Sequence, residues 1–140
     1  MVEIKVQKIH SDAKIPSYAH LGDAGMDLFS LENYMLKSGE RKIFGTGLKI
    51  ELPKGYVSLI WDKGGVASKG IKTMGGVIEH TYRGEYKIIL MNLSNEICEI
   101  KKGDKIAQLI IQPVETATVI EVNELTETSR GEGGFGSTGR

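Results

Sequence analysis

Apolar and polar residues alternate with a period of two along much of the chain. Val2, Ile4 and Val6 interleave with Glu3, Lys5 and Gln7, and Leu48, Ile50 and Leu52 interleave with Lys49 and Glu51. Such a period sends successive side chains to opposite faces of an extended strand. The runs Tyr56–Trp61, Glu85–Asn92, Lys105–Gln112 and Thr116–Val122 are rich in β-branched and aromatic residues and predict further strands. Turn residues fall between them at Ser38–Glu40, Leu52–Gly55, Leu93–Asn95 and Lys101–Asp104. Helical periodicity is nearly absent; a turn or two around Gly65–Lys69 is the best candidate. Many short strands with regular turns predict an all-β sandwich or barrel. Pro113 interrupts the last two runs. It is either an ordinary strand-ending proline or the point where Thr116–Val122 is directed away from its own subunit.

Composition narrows the class. The chain has 140 residues, 40% of them hydrophobic, which suits one domain with a modest core. Eighteen basic residues balance eighteen acidic ones, so the broad basic field of a nucleic-acid coat is absent. The one cysteine, Cys98, sits in the alternating run Glu96–Ile100 and reads as a small apolar strand residue. With no internal disulfide available, a reducing, cytoplasmic setting is expected. No run approaches the ~20 apolar residues of a membrane span, and no membrane partner is expected. His10, His20 and His80 lack metal-ligand spacing and read as surface residues.

Five segments carry candidate chemistry, each with a plain alternative. Arg130–Thr138 holds glycines around one apolar residue, Phe135. Composition alone predicts a disordered end. The interleaving predicts an arm that closes on a nucleotide: Arg130 offers a fork for phosphate, Ser137 and Thr138 offer hydroxyls, and Phe135 offers a face for a base. In Ala24–Leu28, Asp27 is either a turn aspartate or a ligand for a hard cation. Trp61–Ala67 is either a strand-to-turn transition or a phosphate loop, with Gly64 and Gly65 N–H groups and the Lys63 charge. Gly75–Gly84 is a hairpin; Glu79 and Tyr82 in it are either solvated or a general base and a sugar-packing ring. Gly103–Ile110 turns into a buried strand, where Gln108 needs a partner on a neighbouring strand or on a ligand phosphate.

Taken in this order, from Ala24 to Gly139, the five segments resemble the five motifs of the trimeric dUTP diphosphatase family, the dUTPases. Each motif is short, but the ordered set ending in Arg-Gly-Glu-Gly-Gly-Phe-Gly-Ser-Thr-Gly is highly specific. The resemblance implies a jelly-roll-like β fold assembled as a homotrimer. It implies a β domain over 1–122 and a mobile arm over 123–140 that closes an active site of a neighbouring subunit. It implies hydrolysis of dUTP to dUMP and pyrophosphate with Mg²⁺, which keeps uracil out of DNA and supplies dUMP for thymidylate synthesis. Carried over residue by residue, Glu79 is the general base and Asp27 holds the metal through water. Lys63, Gly64, Gly65, Gln108, Arg130, Ser137 and Thr138 bind phosphates. Thr73, Gly76, Val77, Ile78, Tyr82, Lys87, Phe135 and Gly136 bind the nucleoside.

The chain departs from the family pattern at four places. Glu79 stands where Asp is usual, Gly64 where Ser is usual, Lys63 where Arg is common and Trp61-Asp62 where Ala-Pro is frequent. A dCTP deaminase of the same fold needs a glutamate at the position of Ile89, so deamination is disfavoured. A dUTPase-like trimer that binds nucleotide without turnover is the alternative from another class. A structural jelly-roll explains the strands but not Tyr82 or the tail.

Overall fold

A computed structural model of the protein describes residues 1–139; Arg140, the last residue of the expected arm, lies outside them. The described residues form eleven short strands and one helical turn. In chain order these are β1 (Lys5–Lys8), β2 (Met26–Phe29), β3 (Tyr34–Leu36), β4 (Arg41–Gly45), β5 (Leu48–Glu51), β6 (Tyr56–Trp61), α1 (Gly64–Ala67), β7 (Ile71–Met74), β8 (Val77–Glu79), β9 (Lys87–Asn92), β10 (Cys98–Ile100) and β11 (Lys105–Pro113). The all-β expectation holds, and α1 matches the expected helical turn.

Every strand pairing is antiparallel. The larger sheets have the orders β2-β11-β6-β8 and β4-β9-β7; β1 pairs with β5 and β3 with β10. Both larger sheets turn one face to a shared core. Met26, Leu28, Ile60, Ala107 and Leu109 meet Phe44, Ile71, Ile88 and Leu90 there, with Tyr86 fully buried among them. Burying one such side chain contributes roughly 1.5–3 kcal/mol relative to leaving it in water. Beneath β8, the Tyr86 and Ser58 hydroxyls lie 2.7 Å apart, and the Ser58 hydroxyl donates to the Ile78 carbonyl at 3.1 Å.

Two expectations change. The Gly75–Gly84 segment is not a simple hairpin: β7 pairs with β9 and β8 with β6, so Gly75–Gly76 turns a corner between two sheets. Gly76 is required at this corner. Its φ is +110°, and a Cβ there would lie 2.6 Å from the Ile60 carbonyl oxygen. Thr116–Val122 forms no strand within the protomer. Val119 and Ile120 are 92% and 76% exposed, because the last sheet pairing ends at Pro113 and the segment has no neighbouring strand.

Candidate active site

The first cluster forms where β2, β11 and β6 lie side by side. Asp27 on β2 is directly opposite Gln108 on β11, which is directly opposite Trp61 on β6. Residues paired this way share a face of the sheet. Asp27 is 3% exposed, yet charged groups surround it. Lys63 Nζ lies 2.7 Å from its Oδ1, and Lys105 Nζ lies 2.9 Å from its Oδ2. Burial opposes the Asp27 charge, but hydrogen bonds from Lys63 and Lys105 outweigh it and hold the carboxyl below its ordinary range. Two ammonium groups on one carboxylate leave the cluster with a net positive charge. Gln108 Nε2 donates to the Asp62 carbonyl at 2.8 Å. Gly25 makes room for this amide, since a Cβ there would lie 2.2 Å from Gln108 Oε1. The Lys63–Gly65 turn borders the cluster, with Gly64 and Gly65 exposed. As the first residues of a helical turn, they carry N–H groups without intrahelical acceptors.

Asp62 ties this turn to β7. Its Oδ1 accepts the Thr73 N–H at 2.6 Å, and its Oδ2 accepts Lys72 Nζ. Thr73 is itself buried. A cleft of about 510 Å³ opens alongside, lined by Trp61, Thr73, Met74, Gly75, Gly76 and Val77 among others. A second cleft of about 240 Å³ lies beyond the corner and is lined by Val77, Ile78, Glu79, Tyr82, Glu85 and Lys87. The Tyr82 N–H donates to the Glu79 carbonyl at 3.1 Å, and its hydroxyl donates to the Glu85 carbonyl at 2.9 Å. Those two bonds turn the ring back over the corner, 6.1 Å from the Tyr86 ring.

The structure therefore brings Asp27, Lys63 and Gln108 together, with Gly64 and Gly65 beside them. Thr73 and Gly76 line the first cleft beside Trp61, Val77 lines both clefts, and Ile78, Glu79, Tyr82 and Lys87 line the second. Glu79, however, is remote from the first cluster. Glu79 pairs with Val57, four residues along β6 from Trp61, and β8 lies three strand spacings from β2. At about 3.3 Å per residue and 4.8 Å per strand, Glu79 is roughly 20 Å from Asp27.

The tail meets neither group. Among the described residues, every hydrogen bond of the 128–139 segment stays within it, including Arg130 Nε to the Gly133 carbonyl at 2.9 Å. Phe135 is fully exposed, with a positive φ of 49°. Gly136, Ser137 and Thr138 follow it in the same exposed stretch.

Sequence reasoning missed Lys105, Asp62 and Lys72. Strict alternation puts Lys105 and Gln108 on opposite faces, so Lys105 carried no signal. Asp62 and Lys72 are ten residues apart and meet only because the chain folds back through α1. No group of three or more His, Cys, Asp or Glu side chains able to hold a metal occurs among the described residues. No helix among them is long and apolar enough to cross a membrane.

Comparison with known proteins gives this geometry a family. The family model described as dUTPase matches residues 11–139. The deoxyuridine 5'-triphosphate nucleotidohydrolases of Clostridium novyi and Clostridium kluyveri are 51% and 48% identical to this chain, covering 99% of it and 99% of each relative. That of Nautilia profundicola is 48% identical, covering 99% of this chain and all of the relative. A point mutant of the Staphylococcus bacteriophage 80alpha dUTPase with dUpNHpp superposes with a TM-score of 0.91 at 30% identity, covering 99% of both chains. A mutant dUTPase of phage phi11 of S. aureus, described with a structural Mg(II) ion, superposes with a TM-score of 0.80 at 29% identity, covering 87% of this chain and 97% of that one. A family model spanning residues 11–139 and relatives 48–51% identical along nearly their whole length agree, and the chain belongs to the dUTPase family.

Proposed function

We propose that the protein hydrolyses dUTP to dUMP and pyrophosphate at sites shared between the three subunits of a homotrimer. The separation of Glu79 from the Asp27–Lys63–Gln108 cluster carries the composite-site reading. A general base must stand within hydrogen-bond reach of the water it activates. At roughly 20 Å, Glu79 serves the phosphates bound by another copy of the chain. The names of the full-length relatives favour turnover over a trimer that only binds nucleotide.

In this reading Lys63 and the Gly64 and Gly65 N–H groups bind the phosphates of one subunit's site. Gln108 keeps one amide N–H on the Asp62 carbonyl and offers the other to a phosphate oxygen. A second subunit lends Thr73, Gly76, Val77 and Ile78 for the uracil edge and Tyr82 for the deoxyribose, with Lys87 lining the cleft beside Tyr82. Glu79 takes a proton from water, the water oxygen bonds to the α-phosphorus, and the bond from that phosphorus to pyrophosphate breaks. From a third subunit the 123–140 arm closes over the site. Arg130, Ser137 and Thr138 hold the terminal phosphates, Phe135 stacks on uracil, and Gly136 frees the backbone beside it. Closure excludes bulk water and fixes the reacting groups, which is most of what phosphoryl chemistry requires.

The residues suit Mg²⁺ on one condition. Asp27 is the single carboxylate of its cluster, and both its oxygens are paired with lysines. That donor set fits an ion that takes its ligands from phosphates and water, with Asp27 accepting a hydrogen bond from one such water. When bound, the ion neutralises phosphate charge and stabilises the departing pyrophosphate. Half-buried, unpaired Cys98 fits a reducing cytoplasmic setting.

Pyrophosphate release from dUTP, dCTP, dTTP and UTP, each with Mg²⁺, tests the function. Preferential release from dUTP is expected. Tight dUTP binding without pyrophosphate refutes hydrolysis, and ammonia release from dCTP assigns the protein to deamination.

A further inference from the structure

The mechanism above leaves one largely buried carboxylate without a role. Asp62 lies between β6 and the Lys63–Gly65 turn, with its side chain 23% exposed. It grips both halves of the binding machinery of its protomer through hydrogen bonds of its own. Its carbonyl holds the Gln108 amide at 2.8 Å on the phosphate side. Its carboxylate holds the Thr73 N–H at 2.6 Å and Lys72 Nζ on the nucleoside side. Thr73 and Lys72 belong to β7, which leads into the Gly75–Gly76 corner. No strand pairing joins β6 to β7, since they lie in different sheets. Past the corner, the Ile60 N–H on β6 holds the Gly76 carbonyl at 2.8 Å; before it, the Asp62 carboxylate is the side chain that ties Lys72 and Thr73 to the end of β6.

We propose that Asp62 is a positioning residue that fixes the nucleoside-reading corner against the phosphate-binding turn and so sets how selectively the protein reads uracil. The selectivity part rests on the function proposed above. A base edge is read by backbone groups only while they stay in register, and a shift of about 1 Å removes much of that discrimination. Burial opposes the Asp62 charge, and the hydrogen bonds from Lys72 and the Thr73 N–H outweigh it, so the carboxyl sits below its ordinary range. The grip is thus present at neutral pH.

The test uses the full-length protein and the variants Asp62→Ala, Asp62→Asn and Lys72→Met. Hydrogen exchange over residues 71–78 reads the corner directly, and KM and kcat for dUTP and dCTP read selectivity. Asp62→Ala is expected to speed exchange at Thr73 and to raise the KM for dUTP, each about tenfold or more, because a hydrogen bond to a charged group is lost. The dUTP-to-dCTP preference falls with it, while kcat at saturation stays within about threefold. Asp62→Asn keeps an oxygen for the Thr73 N–H and recovers most of both readouts; Lys72→Met falls between Asn and Ala. Wild-type exchange and selectivity in Asp62→Ala overturn the proposal. So does an Asn variant no better than Ala, with losses that only follow a lowered melting temperature, since that marks a purely structural role. If the wild-type protein releases no pyrophosphate from dUTP, the function has failed, and the exchange measurement alone decides whether Asp62 holds the corner.

Discussion

Lys105 Nζ stands 2.9 Å from Asp27 Oδ2 because β11 carries one residue more than β2 between them. Lys105 pairs with Phe29, Ala107 with Leu28 and Gln108 with Asp27, so Ile106 is the extra residue of a bulge. Both Ile106 and Ala107 point into the core, and the bulge returns Lys105 to the face that carries Gln108. A single inserted residue thereby adds a second cation to a buried carboxylate.

That carboxylate gives stability a pH dependence of defined sign. The folded-state pKa of Asp27 lies below the ordinary 3.8. A group of this kind stabilises the fold above its unfolded pKa, and the stabilisation is lost as pH falls through the folded value. Asp27→Asn cannot ionise. The wild-type protein should exceed it in stability by about 1–3 kcal/mol at neutral pH, the range for hydrogen bonds to a charged group. The gap should hold down to about pH 5 and shrink below it. Urea unfolding at a series of pH values measures this, and a gap that ignores pH removes Asp27 as its source.

The tail separates activity from stability. Its hydrogen bonds are internal, so deleting the residues after Ser129 should leave the melting temperature within about 3 °C of wild type. The same deletion should lower kcat/KM for dUTP by about 10²-fold or more, the scale of losing closure and positioning. Phe135→Ala should raise KM more than it lowers kcat. Pyrophosphate release and a thermal melt on the same samples decide it; unchanged turnover in the truncated protein means the tail is no arm.

Much of the strand pattern was legible in the alternation. Tyr56–Trp61 appears as β6 with the expected ends, and Lys105–Gln112 appears as β11 extended by one residue. The run from Glu85 loses its first two residues because the β4–β9 ladder ends at the Gly45–Lys87 pair, and beyond it the Tyr86 N–H goes to the Leu48 carbonyl while its carbonyl accepts the Thr46 N–H. β3 and β4 escaped notice, being three and five residues long with weak alternation. Thr116–Val122 has strand composition, but a strand needs a neighbour and the protomer supplies none. For the site, side chains on paired strands were readable from their motifs, as with Asp27 and Gln108. Those placed by a bulge, as Lys105 is, or by the crossover through α1 from one sheet to the other, as Lys72 is, were not, because a period of two carries no sign of an inserted residue or a change of sheet.

Subunit mixing tests whether sites are shared. Gly64 has open space around a would-be Cβ, so Gly64→Asp should fold while setting a negative charge against the phosphates. Glu79→Gln removes the proposed base. Each variant alone should lose nearly all turnover. Refolded together in equal amounts, they should regain about one quarter of wild-type activity, since one site in four then draws an intact turn and an intact Glu79 from different subunits. No recovery, in trimers shown to be mixed, would falsify the composite site and place each active centre within one chain.

Gly64 also admits a gain of function. Nothing lies within 4 Å of an ideal Cβ there, and its backbone is that of the first residue of α1. A serine fits without displacing a neighbour. Gly64→Ser adds a hydroxyl donor beside the Lys63 charge, and a donor to a phosphate oxygen is a charge-assisted bond. Such bonds contribute about 1.5–3 kcal/mol, but a flexible exposed hydroxyl realises only part of that, so kcat/KM for dUTP should rise by about three- to tenfold. Gly64→Ala serves as the control, since it removes the same backbone freedom and helix penalty without supplying a donor. If serine and alanine raise activity equally, the gain comes from stiffening the turn. If serine alone raises it, the turn faces phosphate during turnover. If neither does, Gly64 stands away from the reacting groups and its assignment to the phosphate site is wrong.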